Sequence, residues 1–202
     1  MTDLDELLLE GLASGQIGGV LADHGRHSLG FAASSDASFE FGGTVVDLGS
    51  GVGLPAFVLA DAYPQTLWVL IERRSGRADL LKRAVARMRW EDRVEVVSAD
   101  AAVAGRSGLR GRADVVTARA FGPPSTVAEL GAPLLVPGGS LVVSEPRDAD
   151  PENRWPIDGL TRCGLRLIES WETDAGSYVR LLRTDESIED LPRPGARKRA
   201  IF

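Results

Sequence analysis

One segment constrains the fold of this chain more than any other. The apolar run at residues 44–48 predicts a buried strand, and Gly49, Gly51 and Gly53 follow it at alternate positions. Pro55 then suits the first turn of a helix, where its missing N–H costs no hydrogen bond. A buried strand that passes through a glycine turn into a helix is typical of a parallel α/β sheet. It also predicts a ligand over the turn, at the carboxyl ends of the strands.

The alternation of strands and helices continues along the chain. Further strands are predicted at 67–71, 94–98, 114–118 and 140–144, and helices at 55–63, 77–89 and 126–135, the last closed by Pro137-Gly138-Gly139. Residues 165–171 and 177–183 have no room for a helix between them and predict an antiparallel hairpin. We therefore expect an α/β fold: a doubly wound, mostly parallel seven-stranded sheet, Rossmann-like, as in class I methyltransferases.

The expected organisation is one domain at residues 44–202 with a basic C-terminal tail. Residues 1–43 precede it as a short N-terminal helical segment, with a helix at 4–12, and a loop. The net charge is −6, and no apolar run approaches the roughly 20 residues that cross a bilayer. The acidic start does not resemble a signal peptide, so we expect a cytoplasmic protein without a membrane partner. The lone Cys163 is expected to be a packing residue, and with only two histidines we expect no metal.

The spacing of the glycines distinguishes between two cofactors. A dinucleotide loop has the pattern Gly-x-Gly-x-x-Gly and seats a pyrophosphate. This loop has the pattern Asp-x-Gly-x-Gly-x-Gly, with Asp47 on the strand just before the glycines. A carboxylate there repels a pyrophosphate but suits a cationic amino acid, so the loop predicts S-adenosyl-L-methionine, with a tight turn and no ligand as the structural alternative.

Further candidate cofactor contacts follow the other strands. Glu72 ends the second strand, where an acidic side chain can accept from both ribose hydroxyls; a surface glutamate is the alternative. Asp100 follows the third strand and either accepts from the adenine amino group or is a plain loop residue. The predicted cofactor-binding set is Asp47, Gly49, Ser50, Gly51, Gly53, Leu54, Glu72, Arg73, Asp100, Ala101 and Arg119.

Four segments carry a family resemblance. The loop at 47–55 resembles that of the RsmG (GidB) family, the bacterial small-subunit rRNA guanine-N7 methyltransferases. Residues 114–121 resemble its fourth strand, which ends in Arg-Ala, and residues 133–139 resemble its Pro-Gly-Gly turn. Residues 191–198 resemble its closing Pro-Arg-x-x-Gly-x-x-basic tail. The resemblance implies an S-adenosylmethionine-dependent methyltransferase whose partner is small-subunit (16S) rRNA or a ribosomal particle.

Other segments depart from the family's pattern. The N-terminal Trp-Asn…Asn-Leu segment is missing, and Asp100-Ala101-Ala102-Val103 stands where the family has Arg-Ala-Glu-Glu. Ser144-Glu145-Pro146 replaces the lysine expected after the fifth strand. This change removes a positive charge and adds a negative one beside the expected mouth of the active site, which disfavours an RNA substrate. A second hypothesis therefore stays open, in which the chain is a divergent relative that methylates a small-molecule nucleophile. A non-catalytic cofactor-binding protein is the third.

The acceptor chemistry needs few titratable groups. Guanine N7 is a lone pair with no proton to lose, so its methylation depends on positioning and electrostatics rather than on a base. Arg119 is the predicted catalytic residue, because it can orient the acceptor or a phosphate; a surface ion pair is the alternative. Basic residues cluster at 73–93 and in the tail, either as solvated faces or as RNA contacts. The predicted substrate-binding residues are His27 (over the cofactor, or else a cap of the N-terminal segment), Phe121 (by stacking, or else a core residue), Arg193, Arg197 and Lys198.

Overall fold

The computed structural model describes residues 18–37 and 39–202, with Leu4, Glu6, Leu9 and Glu10 before them in helical conformation. The remainder of the helix predicted at 4–12 lies outside the described residues. The strands are β1 (Thr44–Leu48), β2 (Leu67–Ile71), β3 (Val94–Val97), β4 (Ala113–Ala118), β5 (Leu135–Glu145), β6 (Leu165–Glu172) and β7 (Ser177–Arg183). The helices are α1 (Leu21–Leu29), α2 (Ala56–Ala62), α3 (Ser75–Met88), α4 (Ala101–Ala104), α5 (Pro124–Gly131), α6 (Pro151–Arg154) and α7 (Ile157–Arg162), and the 3₁₀ turns are Gly30–Ala32 and Ala132–Leu134.

The seven strands form one sheet in the order β3-β2-β1-β4-β5-β7-β6. The first five strands pair in parallel, while β7 runs antiparallel to both β5 and β6. The predicted fold class and the terminal hairpin are therefore confirmed. From β1, the chain adds β2 and β3 on one side of the sheet and then returns to add β4 and β5 on the other side. At such a switch point a crevice opens at the carboxyl ends of the strands.

Apolar side chains cover both faces of the sheet, because successive residues of a strand point to opposite faces. Val46 and Leu48 pack into one core with the α5 side, and Val45 packs into the other with α2 and α3. Cys163 is fully buried in the first of these cores, and burial raises the pKa of its thiol to about 12. None of the described helices has the length and apolar character to span a membrane.

The region before β5 differs from the sequence-based expectation. The helix expected at 126–135 ends as α-helix at Gly131, and the Pro-Gly-Gly segment lies within β5 rather than before it. An irregularity in the pairing makes this possible, since Ala113 pairs with Leu135 but Val115 pairs with Ser140. The extra residues bulge out of the ladder, and a bulge cannot be deduced from an apolar pattern alone.

The C-terminal tail is a packed part of the domain. Ala196 and Ile201 are buried in the core, and Arg162 Nη1 donates to Ile201 O at 2.9 Å. Arg193 forms a two-pronged ion pair with the fully buried carboxylate of Glu129, at 2.9 and 2.8 Å. The interpretation of the tail as a loose, solvated segment, which rested on its charge alone, is therefore wrong.

Candidate active site

The glycine loop combines positive backbone angles with close packing. Gly49, Gly51 and Gly53 have φ values of 70°, 57° and 92°, which L side chains rarely adopt, as expected from their spacing. A Cβ added to Gly49 would lie 2.6 Å from the ring of Phe121, and one added to Gly53 would collide with Phe57. A Cβ on Gly51 would meet only Gly49 O, at 3.7 Å. Gly51 therefore faces open space, on the side where a ligand can approach.

Glu72 fixes this loop to the end of β2. Its Oε2 accepts from the backbone N–H of Gly51 at 3.1 Å, and its Oε1 accepts from the backbone N–H of Arg74 at 2.8 Å. The residue is only 5% exposed, so the carboxylate is held in place at the wall of the crevice. The surface-glutamate alternative is excluded by this burial, whereas the ribose contact stays a prediction.

Two adjoining clefts lie over the loop. One, of about 200 Å³, lies towards β2 and β3, and the other, of about 260 Å³, lies towards β4. Eight predicted cofactor residues line them: Gly49, Ser50, Gly51, Leu54, Glu72, Arg73, Ala101 and Arg119. The other three predicted residues, Asp47, Gly53 and Asp100, do not line them. Sequence reasoning missed Arg74 and Arg77 as lining residues, although their position just after β2, at the start of α3, was an available signal.

Asp47 is a buried carboxylate with an unsatisfied oxygen. Its Oδ1 accepts from the hydroxyl of Thr117 on β4 at 2.6 Å, whereas Oδ2 has no partner. Burial raises the pKa of Asp47 to about 6, against the opposing effect of the Thr117 hydrogen bond. A buried carboxylate oxygen without a partner is a group that a cationic ligand would satisfy.

Arg119 and His27 also carry buried polar atoms without a partner, and the charge of Arg119 acts on Asp47. Arg119 donates through Nη2 to His24 Nδ1 at 2.8 Å, while its Nη1 is buried without a partner. His27 Nδ1 is likewise buried and unpartnered, and the Tyr178 hydroxyl donates to His27 O at 2.6 Å. Burial, followed by the charge of Arg119, lowers the pKa of His27 to about 4, so its ring is neutral at pH 7.

These observations test whether S-adenosylmethionine fits. Within the described ranges, the only buried side-chain polar atoms without a partner are Asp47 Oδ2, Arg119 Nη1 and His27 Nδ1. An anionic acceptor and a cationic donor whose charges interact suit the ammonium and the carboxylate of one amino acid. The open face of Gly51 leaves room above the loop for it. The residues present therefore fit the cofactor.

Arg197 lies at this cleft rather than away from it. Its guanidinium carbon stacks over the ring of Phe121 at 4.6 Å from the centroid, and its Nε donates to Asp100 Oδ2 at 3.2 Å. Asp100 also caps α4, because its Oδ1 accepts from Ala102 N–H at 2.8 Å. Asp100 is thus not a plain loop residue, and its adenine contact stays a prediction. The structure brings Arg197 and Phe121 to the cofactor cleft, whereas Arg193 and Lys198 do not line it.

Comparison with known proteins identifies the family. Residues 20–152 match the model of the GidB family, described as rRNA small subunit methyltransferase G. Two relatives named ribosomal RNA small subunit methyltransferase G, from Salinispora arenicola and Salinispora tropica, are 34% and 38% identical, and each match covers 96% of this chain and 84% of the relative.

The chain belongs to the rRNA small subunit methyltransferase G family. The sequence-based resemblance and the predicted S-adenosylmethionine-dependent methyltransferase are therefore confirmed. Solved structures share the fold. A Methanococcus maripaludis protein described as an S-adenosyl-L-methionine-dependent methyltransferase has a TM-score of 0.63 at 16% identity, and the match covers 92% of this chain and 93% of that one. The Pyrococcus horikoshii protein TYW2, solved with MeSAdo, has a TM-score of 0.58 at 14% identity, with 83% and 64% covered.

Proposed function

We propose that this member of the GidB family methylates N7 of a guanine in small-subunit rRNA, in the cytoplasm, on RNA or a ribosomal particle. The observation that carries the proposal is the family match, together with relatives of that name aligned along 96% of the chain. The cluster of unsatisfied atoms around the glycine loop supports it, because that cluster is built to receive a charged ligand.

When bound, S-adenosylmethionine supplies an electrophilic methyl group. Asp47 and Arg119 would hold its amino-acid end, and Glu72 would hold its ribose. Gly51 would let the ligand approach the backbone, and Ala101 lines the cleft on the adenine side. In this arrangement Arg119, buried and unpartnered at Nη1, orients a carboxylate rather than removing a proton, since an arginine stays protonated at neutral pH.

The electrostatics of the site suit an acceptor that needs no base. The N7 lone pair forms the new bond and no proton leaves, so positioning is the main requirement. His27 is neutral at pH 7 and adds no second positive charge beside Arg119. Its unpartnered Nδ1 remains free to hydrogen-bond a substrate that reaches this corner.

The basic residues divide into engaged and exposed groups. Arg93 covers the Trp90 ring and donates to Ala60 O, and the tail residues Arg193 and Arg197 are bound as described above. Exposed basic side chains lie on and beside α3: Arg73, Arg74, Lys82, Arg83 and Arg89. Arg73 and Arg74 also line the cofactor cleft. We therefore expect the α3 face to carry more of the RNA contact than the tail does.

The decisive experiment uses labelled cofactor and isolated small-subunit rRNA. After methyl transfer, the RNA is digested to nucleosides, and label is expected in 7-methylguanosine. Label in another nucleoside contradicts the proposal. The same reaction on cell extract, separated afterwards into RNA and small molecules, tests the alternative acceptor. Label confined to the small-molecule fraction would contradict the rRNA function and support a small-molecule acceptor.

A second measurement addresses the α3 face. Neutralised phosphates release counterions, so RNA affinity must fall with salt, with a slope of roughly 0.7 per phosphate contact for single strands. The double variant Lys82→Glu/Arg83→Glu is expected to reduce that slope by about 1–2. The double variant Arg112→Glu/Arg166→Glu changes the net charge by the same amount at two exposed positions outside α3, and it is the matched control. An equal loss of slope in the control would show that only net charge matters.

A further inference from the structure

A separate cavity lies on the other side of Phe121 from the cofactor clefts. It has a volume of about 310 Å³ and opens between the ends of β4 and β5. Ala120 and Phe121 line both this cavity and the cofactor cleft, so they form the partition between the two. Its size is at the lower end of the roughly 300–1,000 Å³ typical of ligand pockets, which suits one planar ring system.

The walls of this cavity combine aromatic surface with one buried charge. Phe121 and Trp155 are its aromatic rings, and Val127 and Pro146 add apolar surface. The charge is Glu145, the last residue of β5, which is 8% exposed. Cavities that accept an extruded base have this composition, because they stack the base between apolar or aromatic groups and read its polar edge.

Glu145 keeps acceptor capacity for a ligand. Its Oε1 accepts from Trp155 Nε1 at 3.1 Å, and its Oε2 accepts from Arg154 Nε. Each carboxylate oxygen has two acceptor sites, so each retains one. Arg154 is partly exposed at the mouth and compensates the buried charge, so the carboxylate can stay ionised without a ligand.

The chemistry of the bases selects one of them for such a wall. The Watson–Crick edge of guanine presents two neighbouring donors, N1–H and the exocyclic N2 amino group, which one carboxylate can accept together. Adenine presents one donor beside an acceptor at N1, and that acceptor would face the carboxylate. Guanine N7 lies on the opposite edge of the ring system from N1 and N2. A guanine held by Glu145 would therefore turn N7 away from it, towards the partition.

We propose that this cavity is the acceptor pocket, and that Glu145 binds the Watson–Crick edge of a guanine extruded from RNA while N7 faces the cofactor cleft. The inference rests on the proposed function and names the residue that selects the base. Methylation at N7 leaves the base with a positive charge, because the lone pair forms the bond and no proton departs. A buried carboxylate at the opposite edge stabilises that charge as it develops. Glu145 lies in the segment where the family pattern has a lysine, and in this proposal its carboxylate selects the base.

The test measures base selectivity with the cofactor cleft already filled. Wild-type protein is saturated with S-adenosylhomocysteine, so that nucleotides cannot occupy the adenine side, and is titrated calorimetrically with the 5′-monophosphates of guanosine, inosine and adenosine. We expect guanosine to bind at least tenfold more tightly than adenosine, with inosine, which lacks the N2 amino group, in between. Equal affinities, or no guanosine binding, would overturn the inference.

Two variants locate the selectivity. Glu145→Gln is expected to lower guanosine monophosphate affinity at least tenfold and to remove the preference over inosine, because an amide offers one acceptor and one donor. Val127→Phe enlarges a side chain that lines the cavity, without altering Glu145, and is expected to abolish nucleotide binding. Both variants should keep the affinity for S-adenosylhomocysteine, which shows that they fold. Glu152→Gln, an exposed acid on α6, is the matched control and should bind as wild type does.

The outcome separates the inference from the proposed function. If wild-type protein forms 7-methylguanosine in rRNA but Glu145→Gln and Val127→Phe keep guanosine selectivity and full methylation, the pocket assignment fails and the function stands. If wild-type protein binds cofactor and selects guanosine monophosphate but labels no 7-methylguanosine, the proposed rRNA chemistry fails instead.

Discussion

Asp47→Asn should make the protein more stable and, at the same time, weaken its hold on the cofactor. The folded state raises the pKa of Asp47 from its ordinary value of 3.8 to about 6, mainly through burial. Because the folded protein binds this proton more tightly than the unfolded chain does, the stabilising contribution is present below about pH 4 and is lost as pH rises through about 6. At neutral pH the ionised carboxylate therefore costs stability.

The magnitude follows from the size of the pKa difference. From 3.8 to about 6, it corresponds to roughly 3 kcal/mol once both states are ionised. An asparagine mimics the neutral acid, and its side-chain oxygen can still accept from Thr117. We expect Asp47→Asn to raise the free energy of unfolding by up to about 3 kcal/mol at pH 8, and by less than about 1 kcal/mol at pH 4.

The assay is urea unfolding of the wild-type protein and Asp47→Asn from pH 4 to pH 8. The difference between their free energies of unfolding isolates Asp47, because the other titrating groups contribute equally to both proteins. Asp114→Asn is the control, since Asp114 is an exposed acid that accepts from Thr44 N–H at 2.7 Å. Calorimetry with S-adenosylmethionine should show weaker binding for Asp47→Asn. A stability difference that does not change with pH, or a less stable variant at pH 8, would refute the reasoning about the buried charge.

Three further predictions concern the loop and the tail. Gly51→Val should abolish calorimetric cofactor binding, because its side chain enters the open cleft, whereas Gly53→Ala should mainly lower the Tm, because its Cβ meets a packed ring. Arg197→Ala should weaken S-adenosylhomocysteine binding about tenfold, the equivalent of roughly 1.4 kcal/mol, through loss of a cleft wall. Arg193→Met should destabilise the fold by on the order of 3 kcal/mol in urea unfolding, because Glu129 is left buried without its ion pair.

Each of these predictions has a contradicting outcome. Unchanged cofactor affinity in Gly51→Val would remove the loop as the binding surface. Arg199→Ala is the control for the tail arginine in the cleft, since Arg199 is exposed, and an equal loss of affinity in both would indicate a general charge effect. Wild-type stability after loss of the Arg193 side chain would show that the tail is not anchored through it.

The parallel sheet and the cofactor loop could be predicted because hydrophobic pattern and turn residues indicate the same strand and loop boundaries. β1, β2 and β7 have the predicted bounds, since each is an apolar or alternating run that ends at a turn signal. The glycines needed positive φ values, and the three values confirm the pattern. In contrast, α4 and α6 escaped prediction because each is a single turn of four residues started by an aspartate cap, too short to show a period.

The tail could not be placed from its charge. Four cations in seven residues predict a solvated arm, yet two of them have long-range partners, Glu129 for Arg193 and Asp100 for Arg197. These pairs join positions 64 and 97 residues apart in sequence, and no local pattern encodes such a contact. Basic side chains that pair with acids inside the protein are not available to RNA. They must therefore be subtracted before a count of basic residues is used to predict RNA binding.

The buried polar atoms without partners suit the proposed reaction, which removes no proton. The corner around the glycine loop contains a carboxylate, a guanidinium and an imidazole, each with a buried atom that has no partner in the protein. Left unpaired, such atoms reduce stability, and a ligand of complementary charge recovers that free energy when it binds. The groups are therefore arranged for electrostatic positioning, and His27, with a pKa of about 4 from burial and the nearby Arg119, is too weak a base at neutral pH to take a proton from the acceptor. An acceptor with a free lone pair, such as guanine N7, is the kind of nucleophile that this site can serve.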